Sequence, residues 1–277
     1  MDKNKKKRII ILLIIFCLFS GGVCAAFLGY KVYQHEKNQS ATITELNNRV
    51  SSLSAKMSIL ENTVEGEHIE WDDEGFNYLA IGNSITIHGL ATYWWDDDRG
   101  MASSSDNKDY VHLVEQYLER VNGSVTMHAT NFSAWETQGA DRAEFLELLD
   151  PYLSDELDLI TIQLGENASN LDSWEKDFEE LICYVSSIAS QATIIVVGDF
   201  WSNGSRDELK KCAAENTGVI YVSLDGIRDN SEYYAGRGTI VEDSEGNDHI
   251  IEHNGVANHP GDKGMAAIAE RIIAVLQ

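Results

Sequence analysis

Hydrophobic positions follow three different rhythms along this chain, and each predicts a different kind of element. From Ile9 to Tyr30 they form a run without a charged residue. At about 1.5 Å rise per residue, that run is long enough to cross the roughly 30 Å hydrocarbon core of a bilayer. The cluster KNKKKR, Lys3 to Arg8, precedes it, and such positive flanks stay on the cytoplasmic side. Residues 1–8 therefore read as a cytoplasmic basic segment and 9–30 as a transmembrane signal-anchor. A cleaved signal peptide is the rival, because Val23-Cys24-Ala25 is a passable processing site. The apolar run continues past it to Leu28 and favours the uncleaved anchor. Either way the remainder lies outside the membrane, on the extracellular side of a cell that resembles a Gram-positive bacterium.

The second rhythm is a heptad within residues 34–67. Ile43, Leu46, Val50, Leu53, Met57, Leu60 and Val64 recur at alternating spacings of three and four, with polar residues between them. One narrow apolar stripe suits a coiled-coil seam better than the broad core face of a globular helix. β-Branched residues at three of the four a positions and leucine at every d position favour a parallel two-stranded coil, hence a homodimer. A lone amphipathic helix lying on the following domain is the alternative.

After the acidic hinge GEHIEWDDEG, Gly66 to Gly75, short apolar blocks alternate with helical patterns. Strands are expected at Phe76 to Ile81, Val125 to Phe132, Leu157 to Leu164, Ala192 to Phe200 and Val219 to Leu224. Helices are expected at Asp109 to Val121, Ala140 to Leu149, Asp172 to Ser190, Arg206 to Glu215 and Asp262 to Leu276. Strands that are apolar on both faces, separated by helices, predict a mainly parallel five-stranded sheet covered on both sides. Residues 76–277 thus form a three-layer α/β/α domain of flavodoxin-like type.

Composition narrows the partners. The chain of 277 residues carries a formal charge of −24, and beyond residue 32 it holds 15 basic against 44 acidic residues. Such a surface repels phosphate backbones, so no nucleic-acid partner is expected. Cys17 and Cys24 fall in the apolar segment; Cys183 and Cys212 fall in helical patterns and read as small buried residues rather than a disulfide. Nothing has metal-ligand spacing, and neither a metal nor a cofactor is expected.

The candidate chemistry lies at strand ends. In FNYLAIGNSITIHG the first strand breaks at Gly82 and delivers Asn83 and Ser84 to the following turn; in an open parallel sheet, ligands bind beyond the carboxyl ends of the strands. LDLITIQLGENAS places Gly165-Glu166-Asn167 after the third strand, and NHPGDKGM places His259-Pro260 before the last helix. Three such blocks in the order Ser, Asn, His resemble those of the SGNH (GDSL-type) hydrolases, over roughly Phe76 to the C-terminus. The resemblance implies a serine esterase with Ser84 as nucleophile and His259 as base. It also implies an oxyanion hole made by the Ser84 N–H, a backbone N–H of the second block and the Asn167 side chain.

The chain departs from that family's pattern in three places. Asn83 stands where aspartate is usual. The second block, NFSAWETQG, lacks the expected early glycine and leaves Ala134 and Glu136 as candidate amide donors. Val256 stands where the acid three residues before the histidine should be. Asn254-Gly255 has no charge to offer an imidazolium. His259 therefore works either with a backbone or water partner, or with a carboxylate from Asp262, Glu252 or Asp199. His88, Trp94 and Trp95 follow the serine and are candidate substrate contacts. The expected substrate is a small acyl ester, with O-acetyl groups on glycans favoured. The rivals are a catalytically silent glycan-binding or scaffold protein and a lipase.

Overall fold

A computed structural model of the chain describes residues 69–203 and 205–277; the signal-anchor and coiled-coil segments expected from the sequence lie outside them. Among the described residues, no helix is long and apolar enough to cross a membrane. Five strands, β1 (Phe76–Gly82), β2 (Val125–Asn131), β3 (Leu159–Gln163), β4 (Thr193–Val197) and β5 (Ile220–Val222), form one sheet in the order β2-β1-β3-β4-β5. Every pairing in it is parallel. The order reverses between β1 and β3, so the loops leaving these two strands flank the crevice where ligands of open α/β sheets sit.

The strands alternate apolar residues to both faces, which is why they read as continuous runs. Leu79, Ile81, Ile160, Ile162, Ile194 and Val196 enter one core, where they meet α3 (Trp174–Ile188) and α4 (Arg206–Thr217). Tyr78, Ala80, Leu159, Ile195 and Val197 enter the other, against α1 (Tyr110–Asn122) and α6 (Asp262–Ala274). Two short helices, α2 (Ser133–Glu136) and α5 (Asn254–Ala257), stand at the carboxyl end of the sheet. Full burial of each large apolar side chain stabilises by about 1.5–3 kcal/mol, so two such layers make the sheet a rigid mount for its loops.

A third, smaller cluster joins Trp94, Met101 and Val256 to Val241 and Ile251, beside an antiparallel hairpin of β6 (Ile240–Glu242) and β7 (Asp248–Ile250). The strands of this hairpin are three residues long, too short for a hydrophobic period to mark them in the sequence. Arg99 joins it to the segment after the serine: its guanidinium donates to the Glu242 carbonyl and Asp106, pairs with Asp96 at 2.9 Å, and lies over the Trp94 ring.

Two further expectations change. The stretch expected as an α-helix at Ala140 to Leu149 is 3₁₀ over Gly139–Tyr152 and contains Pro151, whose ring and missing N–H do not suit an α-helical ladder. Cys183 and Cys212 are free thiols but not buried: Cys183 is exposed and Cys212 half-exposed, on outer parts of α3 and α4.

Candidate active site

Gly82 is the last residue of β1, and nothing larger fits there. A Cβ there would stand 1.8 Å from the Thr86 hydroxyl oxygen and 2.9 Å from the Gln163 carbonyl oxygen. The chain then turns on Asn83, whose Oδ1 accepts from the Ile85 N–H at 3.0 Å and whose carbonyl accepts from the N–H groups of Thr86 and Ile87. Ser84 rides on this turn, with its own carbonyl anchored by the Met101 N–H at 2.8 Å.

His259 follows α5 and brings its Nε2 within 2.8 Å of Ser84 Oγ, although 175 residues separate them. Its other nitrogen, Nδ1, stands 2.8 Å from the Gly255 carbonyl oxygen. A carbonyl only accepts, so Nδ1 carries the proton and Nε2 presents a lone pair to the serine hydroxyl, which donates. The Trp201 ring meets the imidazole edge-on at 4.9 Å, and its Nε1 donates to the Asn258 carbonyl. Burial is the main cause that pushes the His259 pKa down, to about 4. The neighbouring His88 and His253 push the same way, and the Gly255 carbonyl acts against them. The histidine is thus neutral at pH 7 and able to take a proton.

None of the three carboxylates considered from the sequence reaches this imidazole. Asp262 accepts from the Ser104 N–H at 2.8 Å and hydroxyl at 2.6 Å, tying the start of α6 to the loop before α1. Asp199 is fully buried between Arg206 Nε and Lys210 Nζ, each at 2.5 Å. Glu252 is exposed, and Val256 is packed in the small core. Asn254 lies by Arg237, with Nη1 3.4 Å from its Oδ1. The Gly255 carbonyl occupies the place that a carboxylate holds in a triad.

The opposite wall is organised by two acids. Glu136 ends α2 with its side chain fully buried; its carboxylate accepts from Asn83 Nδ2 at 3.1 Å, from Asn167 Nδ2 at 2.5 Å and from the Gly165 N–H. Glu166 accepts from the same Asn83 amide at 2.7 Å, from Gln163 Nε2 at 2.8 Å and from the Phe200 N–H at 2.9 Å. Burial, with the negative charge of Glu166 second, raises the Glu136 pKa to about 7. Burial and the charge of Asp199 raise that of Glu166. Asn83 therefore donates to two carboxylates at once, which an aspartate at this position could not do. An asparagine in place of the aspartate of the Gly-Asp-Ser pattern suits this pair of acids.

Asn167 is exposed and half of its amide is left for a ligand, while Ala134 sits half-buried in the first turn of α2. The loop carrying Asn167 is gripped from below as well. Gly165 has φ +148°, where a Cβ would stand 2.5 Å from Asp199 Oδ1, and Lys210 Nζ donates to the Leu164 carbonyl at 2.7 Å.

The remaining candidates divide. His88 is half-buried with Nδ1 2.6 Å from the Gly89 carbonyl oxygen, and its ring leans on Tyr93, which in turn stacks on His253 at 4.7 Å. Trp95 stacks on His249 at 4.5 Å. Trp94 is 1% exposed and serves the small core, so it is not placed to touch a substrate. Tyr93, Trp201 and His253 had no distinguishing signal in the sequence, since the spacings that bring them here arise only from the fold.

No protein-family model and no curated protein matches the chain. Among solved structures it is similar to a two-domain esterase active on acetylated mannans, at 17% identity and TM-score 0.49 over 81% of this chain and 53% of that one. It is also similar to a family two carbohydrate esterase from Clostridium thermocellum, at 14% identity and TM-score 0.46 over 75% of this chain and 65% of that one. A third similarity is to an extracellular lipase from Streptomyces rimosus, at 14% identity and TM-score 0.42 over 72% and 99%. The chain spans about half the length of the mannan esterase. The serine and histidine that meet beyond the carboxyl ends of the strands are the pair that the resemblance to the SGNH hydrolases implies.

Proposed function

We propose that residues 76–277 are a serine esterase that hydrolyses small acyl esters, with O-acetyl groups on glycans as substrate. The observation that carries this is the 2.8 Å contact between Ser84 Oγ and the unprotonated Nε2 of His259. A serine hydroxyl needs a positioned base to act as nucleophile at neutral pH. Ser84 Oγ attacks the ester carbonyl carbon while His259 takes its proton, and the carbonyl oxygen becomes an oxyanion facing the Ser84 N–H and the Asn167 amide. When the tetrahedral intermediate collapses, His259 returns the proton to the departing alcohol oxygen. Water, deprotonated by the same imidazole, then releases the acid from the acyl-serine. With a carbonyl in place of a carboxylate behind His259, the imidazolium has less stabilisation, and a rate below that of a full triad is expected.

The rim supports a sugar ester over a lipid. Among the described residues, Leu90 and Tyr93 are the exposed large apolar residues near the serine loop, while Ile240 and Ile250 pair across the hairpin and Val121 and Val275 sit at helix ends. These are scattered side chains rather than the broad apolar patch an acyl-chain interface needs. Tyr93, stacked on His253, offers a ring face of the kind that packs on sugars. The N-terminal segments, as read from sequence, make the enzyme a single-pass extracellular protein of the cell membrane, paired through a parallel coiled-coil stalk.

Activity is tested with p-nitrophenyl esters of two, four and eight carbons and with an O-acetylated oligosaccharide, on the soluble form starting at Trp71. Acetate release with steep loss at longer chains supports the reading. A preference for the eight-carbon ester would overturn its substrate class.

A further inference from the structure

The Glu136 side chain does something that its place in the second block does not explain. It is fully buried and, among the described residues, has no cationic partner: the nearby guanidinium of Arg142 donates to the Glu136 backbone carbonyl at 3.1 Å and pairs with Asp177 at 2.6 Å. Lys210 and Arg206 are committed to Asp199. An unpaired carboxylate of this kind is costly to bury, the more so with Glu166 close by. Stability alone would favour a neutral side chain here.

Its three donors tell what it is for. Asn83 belongs to the loop after β1, next to Ser84; Gly165 and Asn167 belong to the loop after β3; and Glu136 itself closes α2 after β2. These are the three loops from which the oxyanion donors come. We propose that the Glu136 carboxylate is the positioning residue of the oxyanion hole, holding one hydrogen of the Asn167 amide so that the other is aimed at the reacting oxygen. This rests on the serine-esterase reading and deepens it: the sequence pointed only to the backbone amide of Glu136.

The atoms make the proposal specific. Asn83 Nδ2 and the Gly165 N–H converge on Oε1, and Asn167 Nδ2 alone holds Oε2. In Glu136→Gln the amide oxygen can keep the first two donors, but the new –NH₂ then faces the Asn167 –NH₂, donor against donor. Asn167 must turn away while the fold keeps its packing. A hydrogen bond that acts only through Asn167 predicts a kcat loss of roughly 10²- to 10³-fold with KM nearly unchanged, the cost of one oxyanion donor. It also predicts that adding Asn167→Ala to Glu136→Gln costs nothing further, because residues acting as a unit are not additive.

The experiment combines kinetics on p-nitrophenyl acetate, for the wild type, both single variants and the double variant, with the ¹H–¹⁵N signal of the Asn167 side-chain amide, assigned by its loss in Asn167→Ala. The expected result is a kcat defect in Glu136→Gln shared with Asn167→Ala, and a shifted Asn167 signal against an otherwise retained spectrum. Wild-type kcat with an unmoved signal in Glu136→Gln overturns the inference while the esterase stands. Fully multiplicative losses in the double variant also overturn it, leaving Glu136 as a structural residue. A wild-type protein that neither turns over the ester nor reacts with a fluorophosphonate at Ser84 removes the esterase reading, and the inference with it.

Discussion

At the scale of single residues, the site replaces charge with geometry on one side of the serine and concentrates charge on the other. His259 has a carbonyl behind it and is pushed down to about 4, while Glu136 is pushed up to about 7. The base must be neutral and the positioning carboxylate ionised, so activity rises with pH through both values. Two acid limbs in the pH dependence of kcat/KM are expected, near 4 and near 7, with Glu166 facing Glu136 and with His88 and His253 facing His259. In Glu136→Gln the limb near 7 should disappear and the lower one persist; a single limb at the ordinary histidine value of about 6.5 in both proteins would contradict this assignment. Asn83 gives the sharper stability test. Asn83→Asp restores the residue common in Gly-Asp-Ser blocks, but here it sets a third acid against Glu136 and Glu166 and removes their shared donor. A loss of about 2–4 kcal/mol is expected, seen as a fall in Tm that grows from pH 5 to pH 8. An unchanged Tm would show that the amide donates nothing of consequence.

At the scale of elements, what the sequence revealed and what it hid have a common cause. β1, β3 and β4 are legible because both faces of each strand are apolar, and α1 and α6 because one stripe of each helix is. The order of Ser84, Asn167 and His259 was legible because Ser84 and Asn167 follow closely on β1 and β3 and His259 stands just before α6. The partner of His259 was not: the Gly255 carbonyl has no side chain to announce it, and whether it points at Nδ1 depends on the four-residue helix α5. The short hairpin β6–β7 lacks a period long enough to register, and the stretch Gly139–Tyr152 registered as helical but not as 3₁₀. Asp262, offered by proximity as a triad member, is spent on Ser104. Asp262→Asn should accordingly leave kcat within a few-fold of wild type while lowering stability by about 1–2 kcal/mol through the lost charged hydrogen bonds. A drop near 10³-fold in kcat without unfolding would instead put a carboxylate to work on His259.

At the scale of the whole molecule, the sequence predicts a domain set out from a membrane on a paired stalk, and residues 76–277 form the layered domain such a stalk would present. A form lacking the apolar segment, residues 34–277, should sediment as a dimer at tens of micromolar, and Leu53→Glu should make it a monomer by placing an unpaired charge in the seam. A wild-type monomer under those conditions excludes the stalk dimer without touching the chemistry. The chemistry itself stands on Ser84. The most direct measurement is to treat the soluble form from Trp71 with a fluorophosphonate, digest it and map the modified residue by mass spectrometry. One adduct is expected, on Ser84, formed within minutes, absent from Ser84→Ala and strongly slowed in His259→Ala. No adduct on Ser84 after hours, with a circular-dichroism spectrum of a folded α/β domain, would contradict it and leave a silent binding domain in its place.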